Sequence, residues 1–137
     1  MVPPARSGPM AQRVLIADDD PSALTGLRAL LMAWGYEVEI APNGRVALEK
    51  LTSEAPAVLI TDVVMPLMNG LELLDAVRTT RPAMPVILLT AHSSLDTLLV
   101  AAAEGAFAYL PKPVDVPKLK AVLASALTEA QWETAAP

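Results

Sequence analysis

Short apolar runs alternate strictly with longer amphipathic stretches along this chain, and that alternation limits the folds open to it. The runs cover residues 13–17, 36–40, 57–61, 86–89 and 107–110. They are too short to be buried helices and suit strands. The run at 57–61 is apolar nearly throughout, as expected for a central strand covered on both faces. The intervening stretches read as helices. One opens at Asp20-Pro21, carries Leu24, Leu27 and Leu31 on one stripe, and is ended by Gly35. The others are expected near 45–53, 71–80, 94–104 and 116–130. Strand and helix in strict alternation predict an α/β fold, an open doubly wound parallel sheet with helices on both faces.

Such a sheet binds its ligands beyond the carboxyl ends of its strands, at the topological switch point. The residues expected there are Asp18 and Asp19 after the first strand, Asp62 after the third, Thr90 after the fourth and Lys112 after the fifth. Three carboxylates gathered at one edge repel each other and lose solvation unless a cation joins them. Their donors are hard oxygens, which suit Mg²⁺ better than softer metals, and Mg²⁺ typically binds a few carboxylates together with phosphate oxygens. The stretch Asp18-Asp19-Asp20-Pro21 thus combines candidate metal ligands with a helix cap, the cap being Asp20. Taken singly, each residue has a bland reading as a cap, turn or surface group. Jointly they form the set that phosphate chemistry requires.

Composition excludes several other classes. The chain has 137 residues, 53% of them hydrophobic and 18% charged, which suits one globular domain and not a disordered chain. Its net charge of −5 argues against general attraction to nucleic acid or anionic membranes. It has no cysteine and one histidine, so thiolate and His-rich metal sites are out. No apolar run approaches the roughly 18 residues of a membrane span, and the first residues lack the apolar core of a signal peptide. A cytoplasmic location is expected. Residues 1–11 are expected to be a flexible tail, with Met10 as an alternative start, 12–131 the folded domain and 132–137 a second tail.

The motifs resemble those of response-regulator receiver domains of bacterial two-component signalling, the CheY-like family. The resemblance rests on the acidic pair Asp18-Asp19, the segment 62–70 with Asp62, Met65-Pro66 and Asn69-Gly70, the pair Thr90-Ala91 and the Lys112-Pro113 dipeptide. It extends over nearly the whole chain. It implies a flavodoxin-like (βα)5 fold with strand order 2-1-3-4-5. It also implies that Asp62 accepts a phosphoryl group from a sensor histidine kinase or phosphotransfer protein. Mg²⁺ would be held by Asp19, Asp62 and the backbone carbonyl of Val64, with Asp18 acting mainly through water. Lys112 would neutralise charge on the transferring oxygens, and the bond before Pro113 would be cis. Gly70 would serve loop geometry, and Met65 and Met68 packing.

By the same resemblance, Thr90 and Tyr109 are the switch residues, and phosphorylation alters the face made by the fourth helix, fifth strand and fifth helix. Leu95, Leu98, Leu99 and Val100 make that helix unusually apolar, either as core packing or as a face for a partner or homodimer. No direct nucleic-acid binding is expected of the domain. Val114 departs from the family, which usually has a larger residue there. Val64 cannot orient a water, so slow loss of the phosphoryl group is expected, and His92 is expected to be an exposed loop residue. Residues 105–113 are similar to receivers of nitrogen-regulator-type activators. Two rival readings are a receiver-like scaffold that is never phosphorylated and a Mg²⁺-dependent phosphatase of the haloacid-dehalogenase type.

Overall fold

The computed structural model describes residues 12–135, with side chains described through residue 128. The elements run β1 (Arg13–Ala17), α1 (Pro21–Ala33), β2 (Glu37–Ala41), α2 (Gly44–Ser53), β3 (Val58–Asp62), α3 (Gly70–Thr80), β4 (Val86–Thr90), α4 (Leu95–Ala103), β5 (Ala108–Pro111) and α5 (Val116–Ala135). The strands form one parallel sheet in the order β2-β1-β3-β4-β5. This is the flavodoxin-like doubly wound fold expected from the sequence.

Side chains alternate across each strand, so one strand serves two cores. Val14 and Ile16 of β1 join Ile60, Ile87 and Leu89 under α1 and α5, against Leu24, Leu31, Leu119 and Leu123. Leu15 and Ala17 join Leu59, Val86 and Leu88 under α2, α3 and α4, against Ala47, Leu51, Leu73, Leu74, Val77 and Ala101. Leu59 and Ile60 are both fully buried. Truncating either to Ala would cost about 2–5 kcal/mol by leaving a cavity between sheet and helix.

Local signals set the helix ends. The Asp20 carboxylate accepts from the Ser22 amide at 2.9 Å, and Pro21 follows at the first helical position, so Asp20 caps α1 as anticipated. Asn69 and Glu72 form a reciprocal capping box at the start of α3. Gly35 and Gly105, with φ of 98° and 84°, take the left-handed conformation after α1 and α4.

Several boundaries differ from those read in the sequence. Asp62 and Thr90 are the last residues of β3 and β4, not the residues after them, because pairing continues to Asp62↔Leu89 and Thr90↔Pro111. Helix α5 continues to Ala135, past the expected end near Ala130 and into the expected tail from 132. No glycine or proline interrupts the helix between those positions. The tail expected at 1–11 lies outside the described residues, as do 136–137.

Candidate functional site

The carboxyl ends of β1 and β3 lie side by side in the sheet, which brings their acidic residues together. Carboxylate oxygens of Asp18, Asp19 and Asp62 all lie within 4.8 Å of one another. The Asp18 Oδ1 accepts from the backbone amide of Asp20 at 2.9 Å, and the Asp62 Oδ1 accepts from the Val63 amide at 2.7 Å. These bonds leave the Oδ2 atoms of both residues for other partners. Lys112 takes them, its Nζ lying 2.6 Å from Asp18 Oδ2 and 3.3 Å from Asp62 Oδ2.

Lys112 is aimed by the chain just after β5. Its amide donates to the Thr90 carbonyl at 2.8 Å, continuing the β4–β5 ladder, and the Lys112–Pro113 peptide is cis. Burial is the largest single influence on its ammonium and lowers its pKa. The hydrogen bond and charge of Asp18, with the charge of Asp62, outweigh burial and hold the pKa above the ordinary lysine value.

The loop behind Asp62 is closely packed. The Gly70 amide donates to the Val63 carbonyl at 2.8 Å, and a Cβ on Gly70 would stand 2.2 Å from the Asp62 carbonyl oxygen. Gly70 therefore serves the loop geometry that its motif implied. Met65 is buried in the core, and Met68 packs against it.

A crevice of three convergent carboxylates and one lysine can hold a hard cation and a phosphoryl group together. Residues 14–124 match the family described as response regulator receiver domain. The chain belongs to that family. It is 44% identical over 114 residues to the transcriptional regulatory protein ZraR of Klebsiella oxytoca, covering 83% of this chain and 26% of ZraR. It is 41% identical over 118 residues to the DNA-binding transcriptional regulator NtrC of Escherichia coli strain K12, covering 86% of this chain and 25% of NtrC. The receiver domain thus spans about a quarter of the length of these relatives. Among solved structures, it resembles a CheY-like receiver domain protein from Methanospirillum hungatei, with a TM-score of 0.85 and 35% identity over 89% of this chain and 98% of that one.

Elsewhere in the receiver domain, Thr90 is fully buried and its Oγ1 accepts from the His92 amide at 3.0 Å. The His92 side chain is exposed, as expected. Tyr109 lies opposite Leu88 and packs against the core, while its hydroxyl is buried without a hydrogen-bond partner among the described residues. In α4 only Ala101 is buried, and Leu95 (68%), Leu98 (41%), Leu99 (57%) and Val100 (47%) are exposed. Core packing therefore does not account for the apolar character of α4.

Two features escaped the sequence reading. A Cβ on Gly44, the first residue of α2, would stand 2.2 Å from the Met68 carbonyl oxygen, so α2 braces the loop that follows the acidic crevice. Leu67 in that loop has φ of 70° and is 74% exposed. Its neighbours close a tight turn, with the Met68 amide donating to the Pro66 carbonyl at 2.8 Å. The glycine alone could have suggested a close approach, but its partner is far along the chain.

Proposed function

We propose that this receiver domain accepts a phosphoryl group on Asp62 from a sensor histidine kinase or phosphotransfer protein and uses the modification as a switch. The single observation that carries the reading is Lys112 shared between Asp18 and Asp62, with Asp19 in the same cluster.

In this reading a carboxylate oxygen of Asp62 attacks phosphorus and the side chain becomes an acyl phosphate, with the donor's leaving group expelled. The Lys112 ammonium follows the phosphoryl oxygens as they approach and offsets their charge. Asp19, Asp62 and the Val64 carbonyl would hold Mg²⁺, with Asp18 contributing through water, and the ion would neutralise further charge on the phosphoryl oxygens. The donor set fits the ion, being hard oxygen within a small cluster.

Phosphorylation adds about −1.5 to −2 charge and strong acceptor oxygens at Asp62. Thr90 gives up the His92 amide and turns its hydroxyl toward them. Tyr109, whose buried hydroxyl lacks a partner among the described residues, then moves inward behind it. The exposed apolar face of α4, with β5 and α5, changes its preference for a partner or a second copy. The likeness to ZraR and NtrC favours an output in transcriptional control, with any DNA contact made outside this domain. No described helix is long and apolar enough to cross a membrane.

Beryllofluoride, which mimics a phosphoryl group on a carboxylate, tests the reading by fluorine NMR. A bound signal is expected that needs both Mg²⁺ and Asp62. A signal that persists in Asp62→Ala, or without Mg²⁺, would contradict it.

A further inference from the structure

A groove of about 330 Å³ opens beside the acidic crevice, between α1 and the segment that follows β5. Its walls are Ala23, Gly26, Leu27 and Leu30 from α1, with Pro113 and Val114 from that segment. Asp18, Asp20 and Lys112 also line it, and the Lys112 Nζ lies 3.3 Å from Asp62 Oδ2, so the groove adjoins the crevice that holds Asp62.

Gly26 is the informative residue. It lies inside α1, where glycine is less favourable than alanine. A Cβ at this position would meet nothing within 4 Å, so packing inside the domain does not require the glycine. Its effect is to keep the groove clear along α1. A volume near the lower end of the about 300–1,000 Å³ typical of small-molecule sites suits a ligand of a few carbons. The side walls are apolar, and the polar end holds Lys112, the group positioned to meet phosphoryl oxygens, beside the carboxylates of Asp18 and Asp20. The ligand that matches both ends has a short apolar chain joined to a phosphoryl group.

We propose that the groove is a subsite for the acyl chain of a small acyl phosphate, so that the domain takes phosphate from short-chain apolar acyl phosphates in preference to acetyl phosphate. The inference rests on the reading of Asp62 as phosphoacceptor. In the step, an Asp62 oxygen forms a bond to phosphorus while the bond from phosphorus to the acyl oxygen breaks. The electron pair leaves on the released carboxylate, and no oxidant or proton is needed. Each methylene buried in the groove raises the rate at low donor concentration by about fourfold, the equivalent of about 0.8 kcal/mol.

The test compares butyryl phosphate with acetyl phosphate, whose leaving carboxylates have nearly equal basicity. Initial phosphorylation is followed by intact mass with Mg²⁺ at low donor concentration. About tenfold faster labelling from butyryl phosphate is expected, given two further methylenes in a partly open groove. Gly26→Leu and Val114→Phe, which fill the groove from opposite sides, should remove the advantage of butyryl phosphate and bring the two rates together. Equal rates in the unaltered protein would overturn the inference, as would a preference that survives both substitutions. The comparison of donors on the unaltered protein needs neither variant to fold. Labelling of Asp62 by acetyl phosphate with no preference between donors removes the subsite alone. No label from either donor removes the reading of Asp62 as well.

Discussion

The ammonium of Lys112 lies 2.6 Å from the carboxylate of Asp18, a residue 94 positions earlier in the chain. In the sheet, β3 and β4 separate β1 from β5, so this contact closes the crevice across its width. It also places a positive charge where a cation or a phosphoryl group would otherwise have to supply or demand one. The contact therefore links the stability of the domain to the chemistry proposed for it.

Replacing Lys112 with Met leaves Asp18 and Asp62 facing each other, with side chains 9% and 13% exposed and without their shared cation. Without metal, the variant should be less stable by about 2 kcal/mol, as expected when one partner of a partly buried pair is removed. It should also bind Mg²⁺ more tightly than the unaltered protein, because a like charge has been taken from beside the carboxylates. Thermal melts and a calorimetric Mg²⁺ titration check both parts. An unchanged melt without metal would contradict the first.

The raised pKa of Lys112 sets a pH dependence with a definite sign. A lysine whose folded pKa exceeds its unfolded value of about 10.4 contributes its full stabilisation below that value and loses it as pH rises through the folded one. Stability measured without metal should therefore show no slope from Lys112 at neutral pH and a decline in the alkaline range. The Lys112→Met variant should lack that part of the decline. Denaturant titrations at a series of alkaline pH values test this.

Gly70→Ala forces a methyl group to within 2.2 Å of the Asp62 carbonyl oxygen unless the backbone shifts. Because the obstruction is backbone and not a flexible side chain, the loop behind Asp62 must move. A loss of about 2 kcal/mol is expected, together with slower phosphorylation. Gly26→Ala provides the contrast, since open space surrounds that position, and should stabilise α1 by about 0.5–1 kcal/mol. Chemical denaturation of the two variants would show opposite signs.

The lifetime of the acyl phosphate should be long, persisting well beyond a few minutes. Val64, two residues after Asp62, is 54% exposed, and its side chain offers no group to orient an attacking water. Val64→Gln should shorten the lifetime several-fold. His92→Ala should leave it unchanged, because the exposed imidazole is not the group bonded to Thr90; the backbone amide is. Loss of label from the unaltered protein within seconds would contradict this.

The crevice was legible in the sequence because of how a parallel doubly wound sheet works. Asp18, Asp62 and Lys112 stand at strand ends, and in such a sheet the carboxyl ends share one edge. The cap at Asp20 was legible for a local reason, an acid directly before a proline and an apolar stripe. The ends of β3 and β4 were not, because Asp62 and Thr90 belong to their strands only through pairing with Leu89 and Pro111. The approach of Gly44 to Met68 and the groove at Gly26 were likewise hidden. Each depends on where two distant segments meet, and neither glycine carries a local mark of its partner. The apolar residues of α4 were visible in the sequence, but their exposure became plain only once Ala101 was found to be the residue of α4 that is buried.

The most direct measurement is the intact mass of the protein after incubation with acetyl phosphate and Mg²⁺, beside Asp62→Ala under the same conditions. The account predicts that the unaltered protein gains the mass of one phosphoryl group, that chelating Mg²⁺ abolishes the gain, and that Asp62→Ala gains nothing. An unmodified wild-type mass, or the same gain in Asp62→Ala, would contradict it.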